Sequence, residues 1–240
     1  MEKQIDCLIG KLLGMYGKVP PTQRLIIAIT GIPGSGEKIT ATGKTTLAAA
    51  ITTRINLLHP LNPEKLALCI PMDGFHFTRA QLDTFPDPEI AHARRGAAFT
   101  FNTESISLFL HALRQPLTPR TKTLFAPSFS HILKDPVPDD IAISPATRII
   151  IFEGNYLAFD MDPWRGIASL FDERWFLKVD FDIAEKRLIA RHLAAGIVRS
   201  EQDARSRVHE NDLINGKEIV EYQYQINEVI VSKEDEGLSK

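Results

Sequence analysis

Cysteine is scarce in this 240-residue chain, which contains only Cys7 and Cys69. Two cysteines so far apart form neither the close spacing of a zinc site nor the dense framework of a small secreted domain. Cys69 lies inside an apolar run, where a free thiol is commonly buried. We therefore expect a protein without disulfides, in a reducing compartment, and assign it to the cytoplasm.

The chain also lacks an excess of charge and any long apolar run. Its formal net charge is −2, which gives no electrostatic reason to expect a nucleic-acid partner. No apolar stretch reaches the length that spans a bilayer, so we expect no membrane partner. The first 19 residues alternate charged with apolar side chains, a pattern typical of an amphipathic helix rather than a signal peptide.

Short apolar runs alternate with segments of helical periodicity, and this order predicts an α/β fold. The runs that predict strands are 24–30, 66–72, 148–154, 174–180 and 227–232. The segments that predict helices are 2–17, 44–58, 104–114, 162–171, 183–196 and 200–216. Such alternation requires a mostly parallel sheet with helices on both faces.

Two regions are rich in proline and are expected to contain little regular structure. Residues 73–102 contain Pro86 and Pro88, and residues 115–146 contain many more prolines together with several aspartates. We expect residues 1–232 to form a single domain and residues 233–240 to be a disordered tail.

Ligands of such sheets bind beyond the carboxyl ends of the strands, so polar residues at those ends are candidates for chemistry. A glycine-rich stretch follows the first strand, Asp73 follows the second, and Glu153 ends the third. The carboxylate of Asp73 could orient or deprotonate an attacking hydroxyl, or it could cap a turn. Glu153 could hold Mg²⁺ directly or through water, or it could pair with an arginine.

The glycine-rich stretch has the features of a phosphate-binding loop, in which backbone N–H groups turn toward phosphates at the start of a helix. That loop has the pattern G-x-x-x-x-G-K-[ST], with the lysine on the phosphates and the hydroxyl, here that of Thr45, on Mg²⁺. The residues expected to bind nucleotide phosphates are Gly31, Gly34, Ser35, Gly36, Gly43, Lys44, Thr45 and Thr46.

Seven residues, Glu37–Gly43, interrupt this pattern. Glu37 stands where the lysine should follow Gly36, and removal of the seven residues would restore the sequence GIPGSGKTT. We interpret them as an insertion that either bulges outward or spoils the ring of N–H groups, and an artefact of splicing or gene assignment is a further hypothesis. The alternative is a plain glycine-rich turn that binds nothing.

Five segments elsewhere resemble the phosphoribulokinase/uridine kinase family of P-loop kinases, closest to its nucleoside- and pantothenate-kinase-like branch in bacteria and fungi. The segments are PMDGFHF (71–77), RRGAAFTFN (94–102), APSFSHILKDPV (126–137), IFEGNYL (151–157) and RLIARHLAAGI (187–197). The resemblance implies a three-layer P-loop NTPase fold with a small helical lid at about residues 196–216. It also implies transfer of the γ-phosphoryl of ATP to an alcohol of a small metabolite, with Mg²⁺ as cofactor.

The same resemblance implies roles for charged residues. It makes Asp73 the catalytic base, acting together with Lys44. Arg187 and Arg191 lie four residues apart on one face of a helix that leads into the expected lid. By resemblance their guanidinium groups bind the nucleotide and clamp the transferred phosphoryl, with Arg191 as the catalytic one. The alternative is a solvated helix face.

Substrate recognition is expected from polar and aromatic residues of the resembling segments. Arg94 and Arg95 could bind an anionic or polyhydroxyl substrate, or they could form a solvated basic pair. His76 follows Asp73 by three residues, so both side chains could face one cleft, although a lone histidine is often structural. The remaining candidates for substrate contact are His131 and Tyr156.

Three functions remain open from the sequence. The first is an ATP-dependent kinase whose partner is a small molecule such as a nucleoside, pantothenate or a sugar, with a homodimer as one option for its assembly. The second is a relative without catalysis, because the loop is interrupted, that binds a nucleotide or metabolite or only a partner protein. The third is a nucleotide hydrolase or switch protein, against which stands the lack of a guanine-reading motif. Asn211 and Asp212 resemble a family motif whose role the residues do not reveal.

Overall fold

The computed structural model describes residues 2–35, 43–60 and 64–231. Its strands are β1 (Leu25–Thr30), β2 (Ala67–Pro71), β3 (Leu124–Ser130), β4 (Asp135–Ile143), β5 (Ile149–Glu153), β6 (Glu173–Lys178) and β7 (Glu228–Val231). Five of them form a parallel sheet in the order β2-β5-β1-β6-β7. The strands predicted from apolar runs are thereby confirmed.

Apart from α3 and α4, the helices lie where the periodicity of the sequence predicts them. They are α1 (Glu2–Tyr16), α2 (Lys44–Leu58), α3 (Arg79–Leu82), α4 (Pro88–Ala93), α5 (Thr103–Arg114), α6 (Trp164–Ser169), α7 (Phe181–Ala194), α8 (Glu201–Arg207) and α9 (Leu213–Glu221). The short helices α3 and α4 lie in the region expected to be loop-rich. Within the described ranges, no helix is both long enough and apolar enough to cross a membrane.

Two apolar clusters cover opposite faces of the sheet, because successive strand residues point to opposite sides. In the fully buried strand β1, Ile26 and Ala28 belong to a cluster with α5 and α6. Ile27 and Ile29 belong to a second cluster with α1 and α2. The molecule therefore has helix, sheet and helix layers, which confirms the predicted fold class.

The expectation of an irregular segment over residues 115–146 is wrong for its central part, where β3 and β4 form an antiparallel hairpin. Prolines are compatible with this hairpin because each strand of a two-stranded sheet has one edge without a partner. The pairing also shifts register between Ala126 and Ser128, at Pro127. A Cβ on Gly74 would lie 2.3 Å from the Pro127 carbonyl oxygen, so the hairpin packs directly on the turn after β2.

Residues 201–221 form one helical run in which a π-helical turn, Val208–Asp212, joins α8 to α9. Gly196, with φ +61°, follows the end of α7 as predicted. The run includes most of the segment expected to be a lid, and its movement as a lid stays a prediction, as does the single domain over residues 1–232. The expected disordered tail lies outside the described residues.

Candidate functional site

The carboxyl ends of β1 and β5 mark the place where a ligand of this sheet would bind. β1 leads through α2 to β2 on one side, whereas the chain that leaves β5 passes through α6 to β6 on the other side of β1. The crevice between these two strand ends is therefore the topological switch point. Gly31 follows β1 there, and Glu153 ends β5 in register with Ile29.

Lys44, at the start of α2, is hydrogen-bonded to the part of the phosphate loop that precedes the seven-residue interruption. Its ammonium group donates hydrogen bonds to the Ile32 carbonyl oxygen at 3.1 Å and to the Ser35 hydroxyl at 2.9 Å. α2 begins at this lysine, and its N-cap, Gly43, has no side chain to occupy the first N–H groups, which suits an anion. Gly36 and residues 37–42 lie outside the described residues, so the predicted role of Gly36 and the effect of the insertion stay predictions.

Gly34 fits the first part of the loop against α7. Its φ is +76°, and a Cβ at this position would lie 2.6 Å from the carbonyl oxygen of Ala184. The left-handed backbone and the close approach both favour glycine. The loop is therefore fixed by packing on α7, the helix that also carries Arg187 and Arg191.

Thr45 and Glu153 meet at the switch point. The Thr45 hydroxyl donates a hydrogen bond to Oε1 of Glu153 over 3.0 Å. A hydroxyl oxygen and a carboxylate oxygen beside a phosphate site fit Mg²⁺, which fills its remaining positions with water and phosphate oxygens. The described part of the chain contains no group of three His, Cys, Asp or Glu side chains that could hold a metal ion by themselves.

Burial shifts the pKa values of Glu153 and Lys44 toward each other. It raises the pKa of Glu153 to about 7, helped by the negative charge of Asp73 and opposed by Lys44 and the Thr45 hydroxyl. It lowers the pKa of Lys44 to about 8, opposed by the charges of Glu153 and Asp73 and helped by Arg191. The fold thus brings predicted site residues from four separate segments into one electrostatic neighbourhood.

Asp73 lies in the short helical turn Met72–Phe75 after β2, and His76 directly follows that turn. The Asp73 side chain is 52% exposed, and its Oδ1 lies 3.8 Å from Nε2 of His76. The His76 ring stacks on Phe101 with centroids 3.9 Å apart. Burial lowers the pKa of His76 although Asp73 opposes this, so the imidazole is neutral at neutral pH.

A cavity of about 380 Å³ adjoins this turn. It lies between the β3–β4 hairpin and the start of α5, with His76, Phe109 and Phe125 among its aromatic walls and Gln81 and Ser105 among its polar groups. Thr78, Asn102 and Asp139 also line it, so its walls are mixed, whereas neither Lys44 nor Asp73 is among its lining residues.

The adjacent arginines have different surroundings. Arg94 donates from Nε to Oδ1 of Asn211 at 2.9 Å and from Nη2 to Oδ1 of Asn215 at 2.8 Å. Arg95 donates from Nη2 to the Asp135 carboxylate at 2.8 Å and also binds two backbone carbonyls. Arg94 therefore connects its loop to the α8–α9 run, whereas Arg95 connects it to the hairpin.

The remaining candidates differ in exposure. His131 is exposed in the turn between β3 and β4. Tyr156 is fully buried against Phe101, so its ring offers no surface to a substrate in this structure. Arg187 is buried on α7, one turn before the exposed Arg191. The binding roles predicted for these residues stay predictions.

Sequence reasoning missed Asn215 and left Asn211 and Asp212 without a role. Both asparagines are buried, and Oδ2 of Asp212 lies 2.7 Å from Nε2 of His192 on α7. The signal was present in the sequence, because residues 211, 212 and 215 are polar side chains at helical spacing on the face that α8 and α9 bury. Polar residues at such core positions indicate a hydrogen-bonded network.

Comparison with known proteins identifies relatives that cover most of the chain, although no protein-family model matches it. The ATP-dependent kinase-like protein notR' of Aspergillus versicolor is 47% identical over 159 residues, 66% of this chain and 92% of its own length. A candidate uridine kinase of Schizosaccharomyces pombe is 40% identical over 193 residues, 80% of this chain and 77% of its own. The ATP-dependent kinase YFH7 of Saccharomyces cerevisiae is 31% identical over 233 residues, and the match covers 65% of it.

Solved structures show the same fold. A candidate fructose transport system kinase from Silicibacter is 26% identical with a TM-score of 0.75, over 94% of this chain and 98% of its own. The YFH7 crystal structure is 24% identical with a TM-score of 0.79, over 98% of this chain and 99% of its own. With this architecture, and with kinase relatives matched over most of their length, the chain belongs to the phosphoribulokinase/uridine kinase family of P-loop kinases.

Proposed function

We propose that this protein is an ATP- and Mg²⁺-dependent phosphotransferase that moves the γ-phosphoryl group to an alcohol of a small metabolite. The observation that carries the proposal is the position of Lys44, whose ammonium group bonds to Ile32 and Ser35 across the interruption. A P-loop lysine in this place reaches the β- and γ-phosphates of a bound nucleotide. Relatives named ATP-dependent kinases support the choice of nucleotide.

The triphosphate would lie along residues 31–35 and the N-terminus of α2. The backbone N–H groups and the ammonium group of Lys44 would hold the phosphates there. Mg²⁺ bound by Thr45 and Glu153 would neutralise charge on the β- and γ-phosphates. Arg191, whose charge already acts on Lys44, would stabilise the charge on the transferred group.

The acceptor hydroxyl would lie beside Asp73. Its oxygen attacks the γ-phosphorus, its proton passes to the Asp73 carboxylate, and the bond from the γ-phosphorus to the bridging oxygen breaks to release ADP. The exposure of this carboxylate supports the role, since an acceptor can reach it. Neutral His76 can bind a second polar group of the acceptor.

The choice of acceptor starts from the relatives. The S. pombe relative is named for uridine and the Silicibacter protein for fructose, so both alcohols belong in the first assay panel together with pantothenate. We place the reaction in the cytoplasm, and size-exclusion chromatography would test for a homodimer.

A second function is favoured by the interruption itself. Residues Glu37–Gly43 add a carboxylate to a loop that must bind phosphates. If this carboxylate disturbs the phosphate site, the protein would bind a nucleotide or metabolite without transferring the phosphoryl group.

A paired comparison decides between the two functions. ATP binding and phosphoryl transfer to the panel are measured for this chain and for a variant without residues 37–43. Transfer by both chains supports the kinase with a harmless insertion, and transfer by the shortened chain alone identifies a disabling insertion. If both chains fold, as judged by circular dichroism, and neither transfers phosphate, the kinase function is wrong.

Substitution of Asp73 should separate binding from chemistry. We expect Asp73→Ala to lower kcat at least roughly 100-fold with ATP affinity retained, because general base catalysis is lost while the phosphate loop is untouched. Lys44→Ala should instead weaken ATP binding. Steady-state kinetics and calorimetric ATP titration would measure the two effects, and equal loss of ATP affinity in both variants would contradict the assignment.

A further inference from the structure

Arg94 is oriented by partners that do not neutralise it. Its Nε and Nη2 donate to carboxamide oxygens of Asn211 and Asn215, whereas neighbouring Arg95 is paired with the carboxylate of Asp135. Among the described residues, no carboxylate forms an ion pair with Arg94, and its Nη1 has no hydrogen-bond partner. The guanidinium is therefore held by neutral partners, and one donor group, Nη1, stays without a hydrogen-bond partner among the described residues.

The two asparagines form a buried network that fixes this orientation. Nδ2 of Asn215 donates to Oδ1 of Asn211 at 3.2 Å, and Nδ2 of Asn211 donates to the backbone carbonyl of Arg95 at 3.4 Å. Asn211 is 3% exposed and Asn215 is 1% exposed. Buried amides are costly unless they are hydrogen-bonded, so a satisfied network of this kind specifies one arrangement. It includes the π-helical turn, a feature that is frequent at functional sites.

Arg94 is linked to both the phosphate loop and the acceptor side of the site through neighbouring residues. Gly216, which follows Asn215, packs so that a Cβ there would lie 3.4 Å from Ile32 of the phosphate loop. On the other side, the loop that begins at Arg94 leads to Phe101, whose ring stacks on His76. Arg94 itself is half-buried rather than fully buried, so part of its surface is open to solvent.

Other charges near Arg94 do not remove its positive charge. Asp212 and Glu218 act with Arg94 on the Tyr156 hydroxyl, which places all of them in one region. Asp212 is already paired with His192 at 2.7 Å. Glu218 lies on α9 and forms no ion pair with Arg94.

We propose that Arg94 recognises an anionic group, a carboxylate or a phosphate, on the acceptor, and that Asn211 and Asn215 are positioning residues that act through it. The inference rests on the proposed function, since it places the acceptor beside Asp73. Arg95, paired with Asp135, which also pairs with Arg79, holds the hairpin instead. The acceptor is then an acid or a phosphorylated alcohol rather than a neutral nucleoside or sugar.

Matched pairs of alcohols test this directly. The pairs are pantothenate and panthenol, glycerate and glycerol, and ribose 5-phosphate and ribose. Affinity is measured calorimetrically with the protein saturated with MgADP, and kcat/KM is measured with MgATP. The variants are Arg94→Gln, Arg94→Lys, Asn211→Asp and Asn211→Ala. Arg165→Gln, which removes an exposed arginine from α6, is the matched control.

For at least one pair, the protein should bind the anionic member at least roughly tenfold more tightly than the neutral one, and Arg94→Gln should abolish that preference. Asn211→Asp keeps the size and the accepting oxygen but places a carboxylate on the guanidinium. It should therefore weaken anion binding more than Asn211→Ala does, with MgADP affinity retained. If Asn211 has only a structural role, Asn211→Ala should weaken anion binding more than Asn211→Asp does. Arg94→Lys should restore part of the preference, and Arg165→Gln should leave it intact.

Three results would overturn the inference: equal affinity for charged and neutral members, an anion preference that survives Arg94→Gln, or loss of MgADP binding in the Arg94 variants, which would assign Arg94 to the nucleotide. If Arg94→Gln does not fold, Arg94→Lys and Asn211→Asp carry the same test. Anion binding that depends on Arg94, without any phosphoryl transfer, would leave the inference standing and contradict the kinase. Phosphoryl transfer to a neutral alcohol at a rate that Arg94→Gln does not change would support the kinase function and overturn the inference about Arg94.

Discussion

At the residue scale, the proposed function needs the charged forms of both Glu153 and Lys44, which lie in one electrostatic neighbourhood. In that proposal Glu153 would have to be ionised to hold Mg²⁺, and Lys44 would have to be protonated to hold phosphates. Burial works against each charged form, which moves the pKa of Glu153 up to about 7 and that of Lys44 down to about 8. The window in which both are charged is therefore narrow.

We expect a bell-shaped pH dependence of kcat/KM for ATP. Activity should rise as Glu153 loses its proton through about pH 7 and fall as Lys44 loses its proton through about pH 8. The profile of kcat/KM reports groups of the free enzyme, so steady-state rates from about pH 5.5 to about pH 9.5 measure it. A profile that is flat across this range would contradict the electrostatic description of the site.

Gly34 offers a stability test of the phosphate loop. Gly34→Ala should destabilise the fold by about 2 kcal/mol or more, because the new Cβ meets the Ala184 carbonyl oxygen and the backbone is left-handed. Gly10→Ala is the matched control, since Gly10 lies in α1 with nothing within 4 Å of its Cβ position. That change should stabilise by about 0.5–1 kcal/mol. Urea unfolding of both variants measures the difference, and similar effects in the two would contradict the packing argument.

At the scale of elements, the β3–β4 hairpin is attached to the rest of the molecule through Asp135. Its Oδ1 accepts hydrogen bonds from Arg95 at 2.8 Å and from the backbone N–H of Arg79 at 2.9 Å. Burial alone would raise the pKa of Asp135, but these hydrogen bonds and the arginine charges lower it below its usual 3.8. The hairpin, the loop that begins at Arg94 and the start of α3 meet at this carboxylate.

Asp135→Asn should destabilise the protein by about 1–2 kcal/mol, because charge-assisted hydrogen bonds become neutral ones. A lowered folded-state pKa contributes stability that is present above the unfolded value of 3.8 and is lost as pH falls through the folded value. The difference between the two proteins should therefore be full at neutral pH and shrink below about pH 4. Urea unfolding at several pH values measures it. A constant difference at all pH values would show that the charge of Asp135 is not responsible.

The elements also differ in how far the sequence predicted them. Strands β1 and β5 are almost entirely apolar, and such runs are diagnostic because parallel strands are buried on both faces. The hairpin was missed because Pro127 and its neighbours indicate loops locally. Its strands are stabilised by their pairing and by packing on Gly74, neither of which is a local property.

At the scale of the whole molecule, ligand binding should be visible as global stabilisation. The phosphate loop contacts both α2 and α7, so a bound nucleotide links elements from distant parts of the chain. A ligand that binds only the folded state at 100 times its Kd adds about 2.7 kcal/mol, which raises Tm by about 5–10 °C for a domain of this size.

We expect MgATP to raise Tm in thermal denaturation of this chain and to lose that effect in Lys44→Ala. Lys122→Ala, which removes an exposed lysine far along the chain from the loop, should keep the full shift. An unchanged Tm for the unmodified chain at millimolar MgATP would contradict nucleotide binding by this chain, and a shift that appears only in the variant without residues 37–43 would assign the loss to those residues.

The sequence by itself determined the layered α/β fold, the glycine-rich loop and the placement of Asp73 and Glu153, because periodicity and strand-end position are local properties. Only the tertiary structure decided that Lys44 meets Ser35 across the interruption and that Tyr156 is buried. The tertiary structure also distinguished Arg94 from Arg95. Partners more than a hundred residues away orient Arg94, whereas a carboxylate on the hairpin pairs with Arg95. Adjacent identical residues acquire different chemistry through partners that are distant in sequence.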